Sequence, residues 1–137
     1  MAKNDRRAAE VDAVAMARTV EVVDGKARDE GRTLAEWVPE VVSRIVAALD
    51  PRRIVLFGSV ARGDDGPDSD IDLLVVVDAF HDRRHETAVA ALRAVRGLPV
   101  AVDVLPATPA TIAESGHLPG TLRVALREGR VVHERGA

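Results

Sequence analysis

The most informative segment of the sequence runs from residue 53 to residue 77 and reads R-I-V-L-F-G-S-V-A-R-G-D-D-G-P-D-S-D-I-D-L-L-V-V-V. Its two apolar runs, Ile54 to Phe57 and Ile71 to Val77, are typical of buried strands. The segment between them is rich in glycine, serine and aspartate, which favour turns. The pattern therefore predicts two strands joined by a polar turn, with polar residues concentrated where the first strand ends and the second begins.

Two acidic residues, Asp70 and Asp72, open the second strand. Side chains alternate between faces along a strand, so both carboxylates are expected on one face and Ile71 on the other. Two neighbouring carboxylates repel each other and resist desolvation. A divalent cation with a preference for oxygen ligands would relieve the repulsion, and Mg²⁺ is the usual ion held by a carboxylate pair together with substrate phosphates.

The first strand ends in Gly58 and Ser59. A glycine permits close approach of backbone or phosphate, and Ser59 is a favourable N-cap for one short helical turn that Gly63 would end. Free N–H groups at a helix N-terminus attract phosphate. The sequence therefore predicts a phosphate site and a metal site close together.

These residues carry a resemblance to a known family. Gly58-Ser59, ten further residues and Asp70-Ile71-Asp72 resemble the signature of the polymerase-beta-type nucleotidyltransferase superfamily. The surrounding letters, L-F-G-S-V-A-R-G and S-D-I-D-L-L-V, are most similar to its minimal nucleotidyltransferases of the MntA type. The resemblance spans about residues 50 to 135. A P-loop is excluded, because the chain contains no Gly-Lys-Ser or Gly-Lys-Thr.

A further acid, Asp103, interrupts the apolar run V-A-V-D-V-L of residues 100–105. A carboxylate in a buried strand is costly without a partner, so one interpretation is an edge strand with Asp103 facing water. The resemblance implies another: the family has a third metal-binding acid on a neighbouring strand about thirty residues after the pair. Asp103 follows Asp72 by 31 residues, the difference between the two numbers.

The rest of the chain predicts an α/β fold, which by the resemblance is a short mixed sheet with helices mainly on one face. Helical spacing of apolar residues predicts an amphipathic helix over residues 5–24 and a second helix from Thr33, with a capping box, to Asp50. Further helices are expected at 83–96, 109–115 and 119–128, strands at 100–105 and 130–134. We assign residues 1–33 to an N-terminal helical extension and residues 34–137 to the nucleotidyltransferase domain.

The composition narrows the choice of partner and compartment. The net charge of −3 provides no attraction to a nucleic-acid backbone, and the aromatic content of 2% leaves few platforms for base stacking. The chain contains no cysteine, which excludes disulfides and thiolate metal sites. It shows neither a membrane-length apolar run nor a signal-peptide core, so we expect a cytoplasmic protein.

The resemblance also implies a reaction, in which AMP passes from ATP to a hydroxyl group. Asp70, Asp72 and Asp103 would bind two Mg²⁺ ions, with Asp103 also accepting a proton, while Gly58, Ser59 and Arg62 would contact the phosphates; a structural salt bridge is the alternative for Arg62. MntA-type proteins are antitoxins that adenylylate a HEPN-type toxin, which suggests such a partner here, with homo-oligomers left open. The alternatives are a nucleotidyltransferase of the aminoglycoside type, acting on a small molecule, and a catalytically silent binding module of the same fold.

Overall fold

A computed structural model describes residues 20–23, 26–80, 83–115 and 120–136. The elements within these residues are, in chain order, β1 (Val20–Val23), β2 (Lys26–Asp29), β3 (Arg32–Thr33), α1 (Leu34–Leu49), β4 (Arg53–Phe57), α2 (Gly58–Arg62), β5 (Ile71–Val76), α3 (Arg84–Ala94), β6 (Val102–Ala107), α4 (Pro109–Ser115), α5 (Thr121–Glu128) and β7 (Arg130–Glu134).

The central sheet has four strands in the order β6-β5-β4-β7. The two strands of the segment from residue 53 to residue 77, β4 and β5, pair antiparallel, with Leu56 opposite Leu73. β7 adds antiparallel to β4, and β6 lies parallel to β5 after the crossover through α3. The sheet is therefore short and mixed, as the resemblance implied.

The two faces of this sheet pack against different helices. One face, which includes Leu56 and Leu73, packs against α1 and α3 in the larger apolar cluster. The other face, which includes Val55 and Leu74, packs against Ala125 of the shorter helix α5. The longer helices thus share one face, which confirms the predicted α/β arrangement.

Helix α1 begins and ends where its sequence predicts. Thr33 is the N-cap, and the Thr33 and Glu36 side chains each bond the other residue's backbone N–H in a complete capping box. Asp50 closes the helix in a left-handed conformation, with φ of 45°. Pro39 falls in the second turn of the helix, which starts at Leu34. Pro39 is exposed there, so its ring points away from the core.

The N-terminal region differs from the predicted helical extension. Residues 5–19 and 24 of the predicted helix lie outside the described residues, but Val20–Val23 is a strand and pairs with β2, which pairs with β3 in a small antiparallel sheet. The prediction of a helix over residues 5–24 is therefore wrong at residues 20–23. Valine at residues 20, 22 and 23 has the β-branched shape that suits strands. Glu30 and Gly31, with φ of 52° and 81°, form the tight turn between β2 and β3.

Trp37 connects this small sheet to the core. Its indole Nε1 donates a hydrogen bond to the Asp29 carbonyl oxygen at 3.0 Å. The Arg32 guanidinium lies 4.2 Å from the centre of the ring, a cation–π contact. Trp37 lies in the first turn of α1 and its side chain is buried, so it links β2 and β3 to the helix.

The remaining elements agree with the sequence patterns to within a few residues. The predicted strand at 130–134 matches β7, and β6 begins two residues later than the predicted strand at 100. Helices α3, α4 and α5 fall within their predicted ranges. None of the helices in the described ranges is long and apolar enough to cross a membrane.

Candidate active site

Strand register brings two of the predicted site acids side by side. In the parallel pair of β5 and β6, Asp72 lies directly opposite Asp103. Directly opposed residues share a sheet face, and here it is the face that carries Leu74 and Leu105, under α4 and α5. Since β6 is an edge strand and Asp103 is exposed, the edge-strand interpretation is confirmed. The position of Asp103 beside Asp72 leaves its metal-binding role a prediction.

Asp70 lies at the point where the sheet begins. The first ladder bond of β5 runs from the Ile71 N–H to the Ala101 carbonyl at 2.9 Å, one residue after Asp70. A tight turn leads into it: the Gly66 N–H donates to Ser69 Oγ at 2.8 Å, and the Ser69 N–H donates to the Gly66 carbonyl at 3.2 Å. An ordered turn therefore leads into Asp70 and Asp72, and both of these side chains are half-buried.

Gly58 lies directly against the Asp72 carboxylate. Its neighbour Phe57 pairs with Asp72 across β4 and β5, and a Cβ placed on Gly58 would overlap the Asp72 Oδ2 and stand 3.1 Å from its Cγ. The backbone φ of 76° also favours glycine. The sequence predicted that Gly58 lets a phosphate come close to the backbone. Its contact with Asp72 depends on the strand register, which the sequence did not reveal.

The prediction that Ser59 caps a short helix is wrong. Helix α2 begins at Gly58, with Phe57 in the cap position and no side-chain cap hydrogen bond. The chain turns into the helix directly at the end of β4, so Ser59 is its second residue. The expected end is confirmed, because Gly63 adopts φ of 82° and donates its N–H to the Ser59 carbonyl at 2.9 Å.

Arg62 forms an ion pair on the surface. Its Nε lies 3.2 Å from Asp64 Oδ2, and the two side chains are 49% and 62% exposed. Of the two roles considered for this guanidinium, the structure contains the salt bridge. An exposed pair of this kind contributes little to stability.

The acidic residues offer a suitable donor set for a magnesium ion. Asp70, Asp72 and Asp103 supply carboxylate oxygens, the ligands that Mg²⁺ prefers, and Asp72 and Asp103 are neighbours on one face. Among the described residues, no three acidic or histidine side chains converge closely enough to enclose an ion. Mg²⁺ typically retains waters and binds through one or two carboxylates plus substrate phosphates, so an open site of this type fits it.

Two concavities of the described part of the chain lie away from these acids. One, of about 410 Å³, lies between the far end of the sheet and α4 and α5. The other, of about 520 Å³, lies between α1 and β7 on the opposite face. Neither is lined by Asp70, Asp72 or Asp103. Asp103 instead lies on the edge strand β6, where it can be reached from solvent, and Asp72 lies beside it on β5.

Comparisons with known proteins address the family and the fold. A family model described as "Nucleotidyltransferase domain" matches residues 36–132. A solved structure from Sulfolobus solfataricus, described as that of a candidate nucleotidyltransferase, is similar to 74% of this chain over 81% of its own, with 22% identity and a TM-score of 0.53. That degree of identity supports a shared fold. No curated protein matches the chain.

Proposed function

The chain belongs to the nucleotidyltransferase-domain family, and on that premise we propose that it transfers AMP from ATP to a hydroxyl group on a partner protein. The observation that carries this proposal is the pairing of Asp72 with Asp103 on one sheet face, with Gly58 against the Asp72 carboxylate. The arrangement brings together two carboxylates that repel each other, a repulsion that a bound cation would relieve. It suits a reaction in which phosphate charge must be neutralised.

The proposed roles of the acids follow from their places in the sheet. Asp70, Asp72 and Asp103 would hold two Mg²⁺ ions, which when bound neutralise triphosphate charge and favour deprotonation of the acceptor hydroxyl. Asp103 is exposed at the edge strand and would accept the proton of that hydroxyl. The hydroxyl oxygen then bonds to the α-phosphorus, the bond from that phosphorus to the bridging oxygen breaks, and pyrophosphate leaves with its electron pair.

The phosphate contacts are assigned to the turn after β4. Gly58 lacks a side chain where the backbone must approach the ligand, and Ser59, the second residue of α2, offers a hydroxyl beside it. Arg62 bonds Asp64 through Nε, which leaves its other N–H donors available to a phosphate. The proposed phosphate site therefore consists of Gly58, Ser59 and nearby backbone N–H groups, with Arg62 adding positive charge beside them.

A protein is the proposed acceptor. The net charge of −3 and the scarcity of aromatic residues disfavour nucleic acid. The MntA-like letters around the Gly-Ser and Asp-x-Asp motifs favour a HEPN-type toxin, whose activity adenylylation would block. Under this proposal the chain is the antitoxin of a toxin–antitoxin pair.

The test is transfer of label from α-³²P-ATP, with Mg²⁺, to the protein encoded by the neighbouring reading frame. Replacing Asp70 with Asn should reduce transfer roughly 100-fold or more, because charge neutralisation at the reacting phosphate is lost. Asp68→Asn is the matched control: Asp68 is an exposed acid of the same turn and is not one of the three proposed metal-binding acids, so its loss should leave transfer unchanged.

Three results would count against the proposal. Undiminished transfer by the Asp70→Asn variant would show that Asp70 takes no part in the reaction. Label appearing on an added aminoglycoside instead of the protein would identify a small-molecule enzyme. Absence of transfer together with stabilisation by the partner alone, and none by ATP with Mg²⁺, would identify a silent binding module.

A further inference from the structure

The sheet face that carries the acids also carries an apolar groove at its other end. The cavity of about 410 Å³ has a floor of Val55, Leu74 and Val76 and a wall that includes Ile112 of α4 and Leu126 of α5. A cavity of this volume accommodates one or two side chains or a small ligand. We call it the arginine-rimmed groove, because Arg52, Arg53 and Arg135 surround it together with Glu134.

Exposed apolar surface concentrates at this groove. Leu126 and Val131, at 39% and 49% exposure, are the exposed large hydrophobic side chains of the described residues. Leu126 lines the groove, and Val131 pairs with Val55 of its floor across β7 and β4. Apolar surface that gathers beside a cavity, with polar groups around it, is typical of a binding surface for another protein.

The rim offers guanidinium groups to a bound carboxylate. Arg53 uses Nη2 to bond Glu134 at 2.7 Å, and Arg52 lies with its Nε 3.3 Å from Asp78. The side chains of Arg53 and Arg52 are 48% and 52% exposed. A guanidinium has five N–H donors, so each arginine can bond an incoming carboxylate while keeping its present acid. The three arginines that line the cavity are paired with Glu134, Asp78 and Asp50, so their remaining N–H donors, and not an excess of charge, favour a carboxylate ligand.

The distance from the groove to the acids follows from the strand register. Arg53 pairs with Val76 at the groove end of β4 and β5, and Phe57 pairs with Asp72 four residues further along. Four residues of a strand span about 13 Å. An extended segment anchored in the groove would thus reach Asp72 and Asp103 after about four residues.

We propose that the arginine-rimmed groove docks a segment of the acceptor protein in which an apolar residue lies next to an acidic one. The apolar side chain fills the cavity beside Leu126, and the carboxylate bonds Arg52 or Arg53. The acceptor hydroxyl then lies about four residues away, at the end of the sheet where Asp72 and Asp103 pair. This inference rests on the proposed transfer to a protein and adds a docking surface and a spacing rule to it.

Labelled peptides test the docking directly. Fluorescence anisotropy would measure binding of Glu-Leu-Gly-Ser-Gly-Tyr and of Tyr-Gly-Ser-Gly-Leu-Glu to the full chain, alongside versions with lysine in place of glutamate. At least one glutamate peptide should bind about tenfold more tightly than its lysine version, because charge-assisted hydrogen bonds to a guanidinium are lost. Equal binding of all four peptides would overturn the proposal.

A pair of variants locates the binding on the chain. Leu126→Glu places a negative charge in the groove wall and should weaken binding of the favoured peptide about tenfold or more. Thr121→Glu makes the same charge change at an exposed residue of the same helix that does not line the groove, and it should bind like the natural chain. Circular dichroism of both variants controls for folding, and equal binding by both would place the peptide elsewhere.

The outcomes separate this inference from the proposed function. If peptide binding depends on Leu126 but the chain transfers no AMP, the docking surface stands and the proposed transferase activity is wrong. If Leu126→Glu leaves AMP transfer to the neighbouring protein unchanged, the transferase activity stands and the docking surface is wrong. A concentration-dependent dimer in sedimentation that Leu126→Glu abolishes would identify a second copy of the chain as the occupant and overturn the proposal.

Discussion

Gly58 satisfies two separate requirements at one backbone position. Its φ of 76° lies in the left-handed region, where a side chain costs about 1–2 kcal/mol. The space that a Cβ would need is filled by the Asp72 carboxylate. Gly63, five residues along, has a similar φ of 82°, but a Cβ added there would meet nothing within 4 Å. The two glycines therefore allow backbone strain to be separated from displacement of the carboxylate.

We expect Gly58→Ala and Gly63→Ala to lose a similar amount of stability from backbone strain. Gly58→Ala should in addition displace Asp72 and lower AMP transfer about 100-fold, because small misplacements of catalytic groups are costly. Urea unfolding and the transfer assay measure the two effects. If the two variants transferred AMP equally well, Gly58 would have no role in positioning Asp72.

At this scale the sequence predicted which residues are polar and where they fall, but not all of their surroundings. Asp72 and Asp103 lie side by side, which follows from their residue types only once the strand register is known. Phe57, and not Ser59, is the N-cap residue of α2, because this helix starts earlier than it would with Ser59 as its N-cap. Local preference cannot detect a turn whose start is determined by tertiary contacts.

Helix α1 shows how much of an element can be predicted when several local signals agree. The apolar stripe, the capping box at Thr33 and Glu36 and the stop at Asp50 all appear as expected. The small sheet of β1 to β3 shows the reverse, since its strands have four, four and two residues. Segments this short satisfy helical and strand spacing almost equally well. Its identity depends on contacts such as that between Trp37 and Asp29, which are eight residues apart.

The capping box makes the stability of α1 depend on pH. Hydrogen bonds from the Thr33 N–H and hydroxyl, at 3.1 and 3.0 Å, hold the pKa of Glu36 below its usual value. A lowered carboxyl pKa contributes stability that is complete above the unfolded value, about 4.3, and is lost as the pH falls through the folded value. Glu36→Gln should therefore melt below the natural protein at pH 7.

Melting curves from pH 7 to pH 3 would follow the difference between these two proteins. The gap should narrow below about pH 4.3, because protonation removes the charge that Glu36→Gln already lacks. A gap of constant size across this range would show that the charge of Glu36 does not stabilise the helix.

The junction of α5 and β7 depends on a close approach of backbone to β4. At Gly129 a Cβ would overlap the Ala125 carbonyl oxygen and the Val55 side chain, and would stand 3.2 Å from the Leu56 carbonyl oxygen. Gly129→Ala should therefore destabilise the protein by about 1–3 kcal/mol, since β7 must move away from the sheet.

Gly66→Ala is the control for that substitution. Gly66 has open space around a Cβ and its φ is not positive, so the change should be close to neutral in urea unfolding. Equal stability of the two variants would mean that the approach of β7 to β4 is not tight.

The whole molecule is held together at its C-terminal end by Arg135. Its Nη2 lies 2.9 Å from both carboxylate oxygens of Asp78, which follows β5, and its Nη1 donates to the Asp50 carbonyl at the end of α1 at 3.0 Å. The Arg135 N–H donates to the Arg52 carbonyl at 2.9 Å. Residues 50, 78 and 135 are distant in sequence, so this connection between β7, α1 and β5 is invisible to any local pattern.

We expect Arg135→Gln to lower the melting temperature by a few degrees, because the ion pair with Asp78 and a helix C-terminal contact are lost together. The Asp78 hydrogen bonds are the main reason that the Arg135 pKa lies above its usual value, so the guanidinium stays charged at every working pH and the stabilisation should fall with added salt. Arg127→Gln, which breaks an exposed pair between adjacent residues with a 3.5 Å contact, should change the melting temperature little. Equal melting temperatures for the two variants in low salt would show that the C-terminal strand is held by its β4 ladder alone.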